Sequence, residues 1–283
     1  MIKIKSLFII KIMINDLTKL KIMFIGDIFG QSGIQRIEEV LPKFIEQEKI
    51  DFVIAQSENV SGRKGLEPKD YWHLKELGIN VFTLGNHAFA KNSIMSIIDN
   101  GDILRPYNVN NEYPGIGTNI FYLKNNLKLR VTSLLGITFN DLNSPWKQSK
   151  ANNFFDAIDQ IIENDNSDYH IIDFHAETTS EKNVLALYLD QYHSKKVSAL
   201  LGTHTHIQTN DAQKLPNDLL FISDVGMTGP KNSAIGANFE EVYQKMRFNS
   251  KVPFKSSTNK SKFNAVILTL SKCEKPTIKS INF

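Results

Sequence analysis

Val197-Ser198-Ala199-Leu200-Leu201-Gly202-Thr203-His204-Thr205-His206 is an apolar run that stops on a glycine and two imidazoles at i, i+2. Its first half has the length and composition of a buried strand, and its second half puts two nitrogen donors on one short loop. The same pattern recurs along the chain. Apolar runs cover Ile22 to Ile25, Phe52 to Ala55, Val81 to Leu84, Val131 to Leu135, Ile171 to Phe174, Leu219 to Ile222 and Ala265 to Leu270. They are continuous rather than alternating, which marks strands covered on both faces. Between them lie helical patterns: Gly33 to Gln47, with Ile34, Ile37, Val40, Leu41 and Phe44, and Tyr71 to Leu77, stopped by Gly78. Strand and helix alternate, so the expected class is α/β.

Size and charge narrow the possibilities. The 283 residues are 41% hydrophobic, enough for a substantial core. Lys and Arg total 33 against 30 Asp and Glu, and a net charge of +3 argues against broad binding to a nucleic-acid backbone. A lone cysteine, Cys273, excludes an internal disulfide and a thiolate metal cluster, and a reducing cytoplasm is the expected location. Residues 1–20 are read as a cytoplasmic N-terminal extension and residues 21–283 as a single domain. Within Met1 to Ile14, Lys11 interrupts the apolar stretch, no small-residue cleavage site follows, and nothing approaches the about 20 apolar residues of a membrane span. Met13 and Met23 are candidate starts, because the first convincing strand begins at Leu20.

Nearly every strand-like run ends in a polar cluster: Gly26-Asp27, Ser57-Glu58-Asn59, Gly85-Asn86-His87, His175-Ala176-Glu177, Gly202 to His206, and Asp224. The carboxyl edge of a parallel sheet is where α/β folds bind ligands, so these clusters are expected to converge. Asp27, Glu58, Asn59, Asn86, His175, His204 and His206 form an oxygen and nitrogen donor set suited to borderline divalent ions. Seven donors exceed one tetrahedral ion. They match two ions about 3.5–4 Å apart, the arrangement used for displacement at phosphorus.

With these motifs in order from Lys21 to Asn238, the chain resembles the calcineurin-like dinuclear metallophosphoesterases, and most closely their YmdB-like branch. Phe24-Ile25-Gly26-Asp27, Ala55-Gln56-Ser57-Glu58-Asn59, Gly85-Asn86-His87, Asp173 to Lys182, Gly202 to His206 and Asp224 to Gly229 carry the likeness. Three positions depart from the broad superfamily and agree with the branch: Phe29 where a histidine is usual, Glu58 where the bridging acid is usually Asp, and Ala88 after Asn86-His87. The resemblance implies a four-layer αββα sandwich. It implies one cation on Asp27, Glu58, Asn59 and His206, and a second on Glu58, Asn86, His175 and His204, with Glu58 bridging. The two divalent metal ions would be iron or manganese, with zinc or magnesium as alternatives. They would activate a shared water, and His87 would protonate the leaving alkoxide, a contribution of roughly a hundred- to ten-thousandfold. The implied substrates are small phosphodiesters such as 2′,3′-cyclic nucleotides, with RNA ends as a further candidate.

Other residues receive blander readings. Glu177 and Asp224 are expected to orient ligands or cap loops. His73 reads as packing, His170 and His193 as surface residues at element ends, and Arg105, Arg63 and Lys64 as contacts for a phosphate or as solvated charge. Gly30 and Gly33 would let the chain pass near the metal pocket. Asn108 to Asn111 and Lys251 to Lys262 read as surface loops, whereas Asn140 to Lys150 and Met227 to Asn238 read as long loops beside a cleft. Two rival functions stand beside the diesterase: a metal-stabilised regulatory or scaffold protein, and a phosphomonoesterase or nuclease of the same superfamily. A homo-oligomer is a compatible state.

Overall fold

A computed structural model describes residues 19–283. The expectations for an N-terminal extension before Lys19 and for an alternative start at Met13 lie outside the described residues. In chain order the strands are β1 (Leu20–Ile25), β2 (Asp27–Ile28), β3 (Phe52–Gln56), β4 (Val81–Thr83), β5 (Ile103–Leu104), β6 (Thr118–Tyr122), β7 (Lys128–Leu135) and β8 (Tyr169–His175). They continue with β9 (Ala199–Thr203), β10 (Gln213–Lys214), β11 (Leu220–Ile222), β12 (Met227–Pro230), β13 (Ser261–Lys262), β14 (Asn264–Leu270) and β15 (Thr277–Asn282). The α-helices are α1 (Gly30–Glu48), α2 (Pro68–Glu76), α3 (Phe154–Glu163), α4 (Thr179–His193) and α5 (Phe239–Phe248).

Two six-stranded sheets form, in the orders β15-β14-β1-β3-β4-β5 and β10-β11-β9-β8-β7-β6, and a small third sheet joins β13, β12 and β2. The continuous apolar runs explain the layering. In β1, Leu20, Ile22 and Phe24 enter a core shared with Ile171, Leu201 and Ile222 of the second sheet, whereas Met23 and Ile25 pack with Ile34, Ile37 and Leu41 of α1. In β8, Ile171 faces the first sheet, and Ile172 and Phe174 face Ile158 of α3 and Leu185 of α4. Each sheet is therefore buried on both faces, and the order of layers is helices, sheet, sheet, helices. That is the αββα sandwich.

Parallel pairing aims the strand ends. β1, β3 and β4 run parallel in the first sheet, and β7, β8, β9 and β11 run parallel in the second. Their carboxyl ends meet at one rim. Several sequence expectations change in detail. The stretch from Met227 to Asn238 is not wholly loop, because Met227 and Thr228 pair with Asp27 and Ile28 to form the third sheet. Asn108 is buried, not a surface residue; its amide donates to the carbonyls of Leu135 and Asn152 and accepts from the Leu135 N–H. No helix among the described residues is long and apolar enough to cross a membrane.

Candidate metal centre

The first sheet supplies Asp27, at the start of β2, Glu58 and Asn59 just beyond β3, and Asn86 and His87 just beyond β4. The second sheet supplies His175, the last residue of β8, and His204 and His206 beyond β9. All seven donors expected from the sequence meet there, in two groups. In one, Nε2 of His175 lies 3.0 Å from Oε1 of Glu58, 3.1 Å from Oδ1 of Asn86 and 2.9 Å from Nδ1 of His204. In the other, Oδ1 of Asp27 lies 3.4 Å from Nε2 of His206 and 3.4 Å from Nδ2 of Asn59, which is itself 3.3 Å from the same His206 nitrogen. The His204 N–H donates to Oδ2 of Asp27 at 3.3 Å and ties the groups together.

Second contacts fix which ring nitrogen faces inward. Nδ1 of His206 donates to the carbonyl of Ile235 at 2.8 Å, which leaves the Nε2 lone pair aimed at Asp27 and Asn59. Nε2 of His204 meets Glu177 at 3.0 Å, leaving Nδ1 toward His175, so Glu177 orients the His204 ring. At His175, Nδ1 sits 2.9 Å from Oγ1 of Thr203 and 3.1 Å from Nε2 of Gln56, and the Thr203 hydroxyl donates to buried Asp173. A half-turn of the Asn59 amide exchanges Nδ2 for Oδ1 at the centre, an assignment that the neighbouring donors and acceptors decide.

Electrostatics match a cation site. Burial alone would raise the carboxyls of Asp27 and Glu58, but His206 and His175, respectively, outweigh it and hold both below the usual carboxylate range. Burial and its His175 neighbour push His204 down to about 3, whereas the carboxylates of Glu58 and Asp27 overcome burial and lift His175 to about 9. Two buried carboxylates thus draw positive charge to a point where imidazole nitrogens converge, and a divalent ion would supply that charge. Among the described His, Cys, Asp and Glu residues, Glu58, His175 and His204 form a group of three whose donor atoms all lie within 4.8 Å of one another. The residues fit the ions that the resemblance implies.

The loops close around this centre. His87 is half-buried, its N–H donates to Oε2 of Glu58 at 2.7 Å, and burial lowers its pKa. Trp146, from the Asn140 to Lys150 segment, donates from Nε1 to the Asn86 carbonyl at 2.7 Å, and Ile235, from the segment after β12, holds His206. Both segments therefore border the cleft. Asp27 does not cap α1, whose N-cap is Phe29 without a side-chain bond. Asn86 does not occupy a left-handed turn, but His204 and His206 do, with φ of 101° and 65°.

Several bland readings need correction. His170 is fully buried on β8, 2.8 Å from the Thr132 hydroxyl, because the strand starts before the apolar run does. His73 is partly exposed and pairs with Glu38 rather than packing in the core. Arg105 is buried and donates to the carbonyls of Pro106, Tyr113 and Pro114. Gly30 and Gly33 pass close to the backbone carbonyls of Gly62 and Thr228, and the Gly30 N–H donates to the Asn59 carbonyl at 3.0 Å. The glycine that the centre requires is Gly85.

This fold, with clustered carboxylates and imidazoles at the shared rim of two sheets, defines a metallophosphoesterase. A 5′-nucleotidase precursor from Thermus thermophilus shares the fold alone, with a TM-score of 0.60 at 9% identity over 94% of this chain and 54% of that one. The family model described as YmdB-like protein matches residues 23–282, and the chain belongs to that family. It is 36% identical over 265 residues to the 2′,3′-cyclic-nucleotide 2′-phosphodiesterase of Bacillus subtilis, covering 92% of this chain and 95% of that protein. A crystal structure of a novel phosphatase from Mycoplasma pneumoniae superposes with a TM-score of 0.85 at 34% identity, covering 94% of each chain.

Proposed function

We propose that the centre holds two divalent cations, iron or manganese, and hydrolyses small phosphodiesters, with 2′,3′-cyclic nucleotides as the substrate class. The observation that carries this reading is the division of the donors into two groups, Asp27 with Asn59 and His206, and Asn86 with His175 and His204, with Glu58 beside the second and within electrostatic reach of Asp27. When bound, such a cation pair supplies a water acidic enough to attack near neutral pH and neutralises charge on the phosphoryl oxygens. The chain supplies the rest. Asp27 and Glu58 hold the countercharge, and Glu58, beside the second group, would serve both cations. Ile235 and Glu177 keep the donor nitrogens of His206 and His204 pointed inward. The His87 N–H donates to Oε2 of Glu58, which holds His87 at the rim as the acid for the departing ribose oxygen. The substrate class is supported by the activity named for the Bacillus subtilis relative.

The test is hydrolysis of 2′,3′-cyclic AMP by protein purified without chelator and supplied with Mn²⁺ or Fe²⁺, beside a monoester and a short RNA. Asn86→Ala should abolish turnover through loss of metal. His87→Ala should lower kcat by about a hundred- to ten-thousandfold with metal content unchanged. Full activity in either variant would sink the reading. A faster monoester or RNA reaction would move the substrate class.

A further inference from the structure

Lys182, on α4, is a cation with 1% side-chain exposure, and its Nζ donates at 2.9 Å to Oδ2 of Asp224, which is 1% exposed as well. A buried ion pair is weak evidence for stability, because desolvating both charges offsets their attraction and an apolar pair of similar volume often does as well. The other bonds of Asp224 show what the pair holds. Oδ2 also accepts from the N–H of Thr205 at 3.0 Å and from its hydroxyl at 2.8 Å, and Oδ1 accepts from the Gly226 N–H at 2.8 Å.

Thr205 stands between His204 and His206, one from each donor group. Both histidines have left-handed backbones, a conformation that residues with a β-carbon keep only when their surroundings enforce it. Asp224 grips the residue between them, and each histidine has a hold of its own: the His204 N–H on Asp27, the His206 ring on the Ile235 carbonyl, and Lys262 on the His206 carbonyl. A carboxylate accepts several donors at once and more strongly than an amide, and it is tolerable at this depth only beside a countercharge. Gly202 leaves room for that countercharge to enter: a β-carbon there would lie 3.1 Å from Cδ of Lys182 and 1.8 Å from the Ser223 carbonyl.

We propose that Lys182 and Asp224 are positioning residues that set the spacing of the two cation sites by clamping Thr205 between the histidine assigned to each. The inference rests on the two-cation reading above. Its test compares calorimetric Mn²⁺ binding by the full chain and by Lys182→Met/Asp224→Asn, a double variant that leaves no buried charge unpaired. Thermal melting without metal is measured alongside. The expected result is a folded variant that binds Mn²⁺ about tenfold more weakly and regains turnover of 2′,3′-cyclic AMP in excess Mn²⁺, which a merely structural role would not produce. Thr205→Val, which removes only the hydroxyl donor, serves if the double variant does not fold, and should weaken binding by a smaller factor. Unchanged Mn²⁺ affinity in a folded variant, with two ions bound by the unmodified protein, overturns the clamp. An unmodified protein that binds no Mn²⁺ overturns the two-cation reading, and the clamp with it.

Discussion

Gly85 approaches the ring of His175 so closely that a β-carbon would sit 2.2 Å from Cδ2 of the imidazole and 2.6 Å from Oε2 of Glu58. Neither neighbour can retreat. Both are buried, and Oε2 of Glu58 is held by the His87 N–H. Gly85→Ala should therefore displace the donors, destabilise the fold by about 1–3 kcal/mol through overpacking, and weaken Mn²⁺ binding by at least about tenfold. Urea unfolding and a Mn²⁺ titration check the two parts. Unaltered metal affinity would show that Glu58 and His175 are not held where their bonds place them.

Trp146 joins a distant loop to the centre. Its Nε1 donates to the Asn86 carbonyl, and its ring meets Phe89 and Tyr113 edge-on, each with centroids 4.8 Å apart. Trp146→Phe retains an aromatic ring and removes the donor. The expected cost is about 1–3 kcal/mol of stability from the unpaired carbonyl. Turnover should fall roughly tenfold, short of the hundredfold that a 1 Å misplacement costs. Steady-state kinetics at saturating Mn²⁺ distinguish this from loss of metal, which would be reversed by adding more.

The eight apolar runs were legible because a strand buried on both faces needs aliphatic residues at consecutive positions, and the seven donors were legible because each closes such a run. What escaped was what lacks that signature. β6, half-exposed over Thr118 to Tyr122, and β15, largely exposed over Thr277 to Asn282, are edge strands, and β12 carries Gly229 and Pro230, residues that ordinarily mark turns. Lys182 lies in a motif that the sequence singles out, but a lysine gives no sign of burial until its partner Asp224 is placed beside it. The bond from Trp146 to Asn86 spans sixty residues, and no local pattern encodes it.

Cation binding should also appear as stability. An ion bound by the folded chain alone stabilises it by about 2.7 kcal/mol at a hundredfold excess over Kd. Mn²⁺ should therefore raise the melting temperature of chelator-treated protein, and the rise should shrink in Asp27→Ala and His204→Ala, which remove a donor from different groups. Equal melting temperatures with and without Mn²⁺ in the unmodified protein would contradict cation binding to the folded state.

His170 makes stability depend on pH away from the metal centre. It is fully buried on β8, with Nε2 2.8 Å from the Thr132 hydroxyl and Nδ1 3.5 Å from Asp165, which also pairs with Arg130. Burial pushes the imidazole down to about 3, with Asp165 opposing the shift and Arg130 adding to it. In the unfolded chain the same group titrates near about 6.5, so below that pH the unfolded chain binds a proton that the folded chain refuses. Stability is thus fully present above about pH 6.5 and falls as the pH drops toward 3, by about 2 kcal/mol at pH 5. Asp165 is held below the usual carboxylate range against its own burial by Ser167 and Arg130, so its contribution is lost only at lower pH, below the unfolded value of about 3.9. Urea midpoints at pH 7 and pH 5 for the unmodified protein and for His170→Gln separate this residue from the histidines of the centre, which both proteins share. The variant should lose about 2 kcal/mol less than the unmodified protein between the two pH values, and equal losses would show that His170 does not titrate as its burial requires.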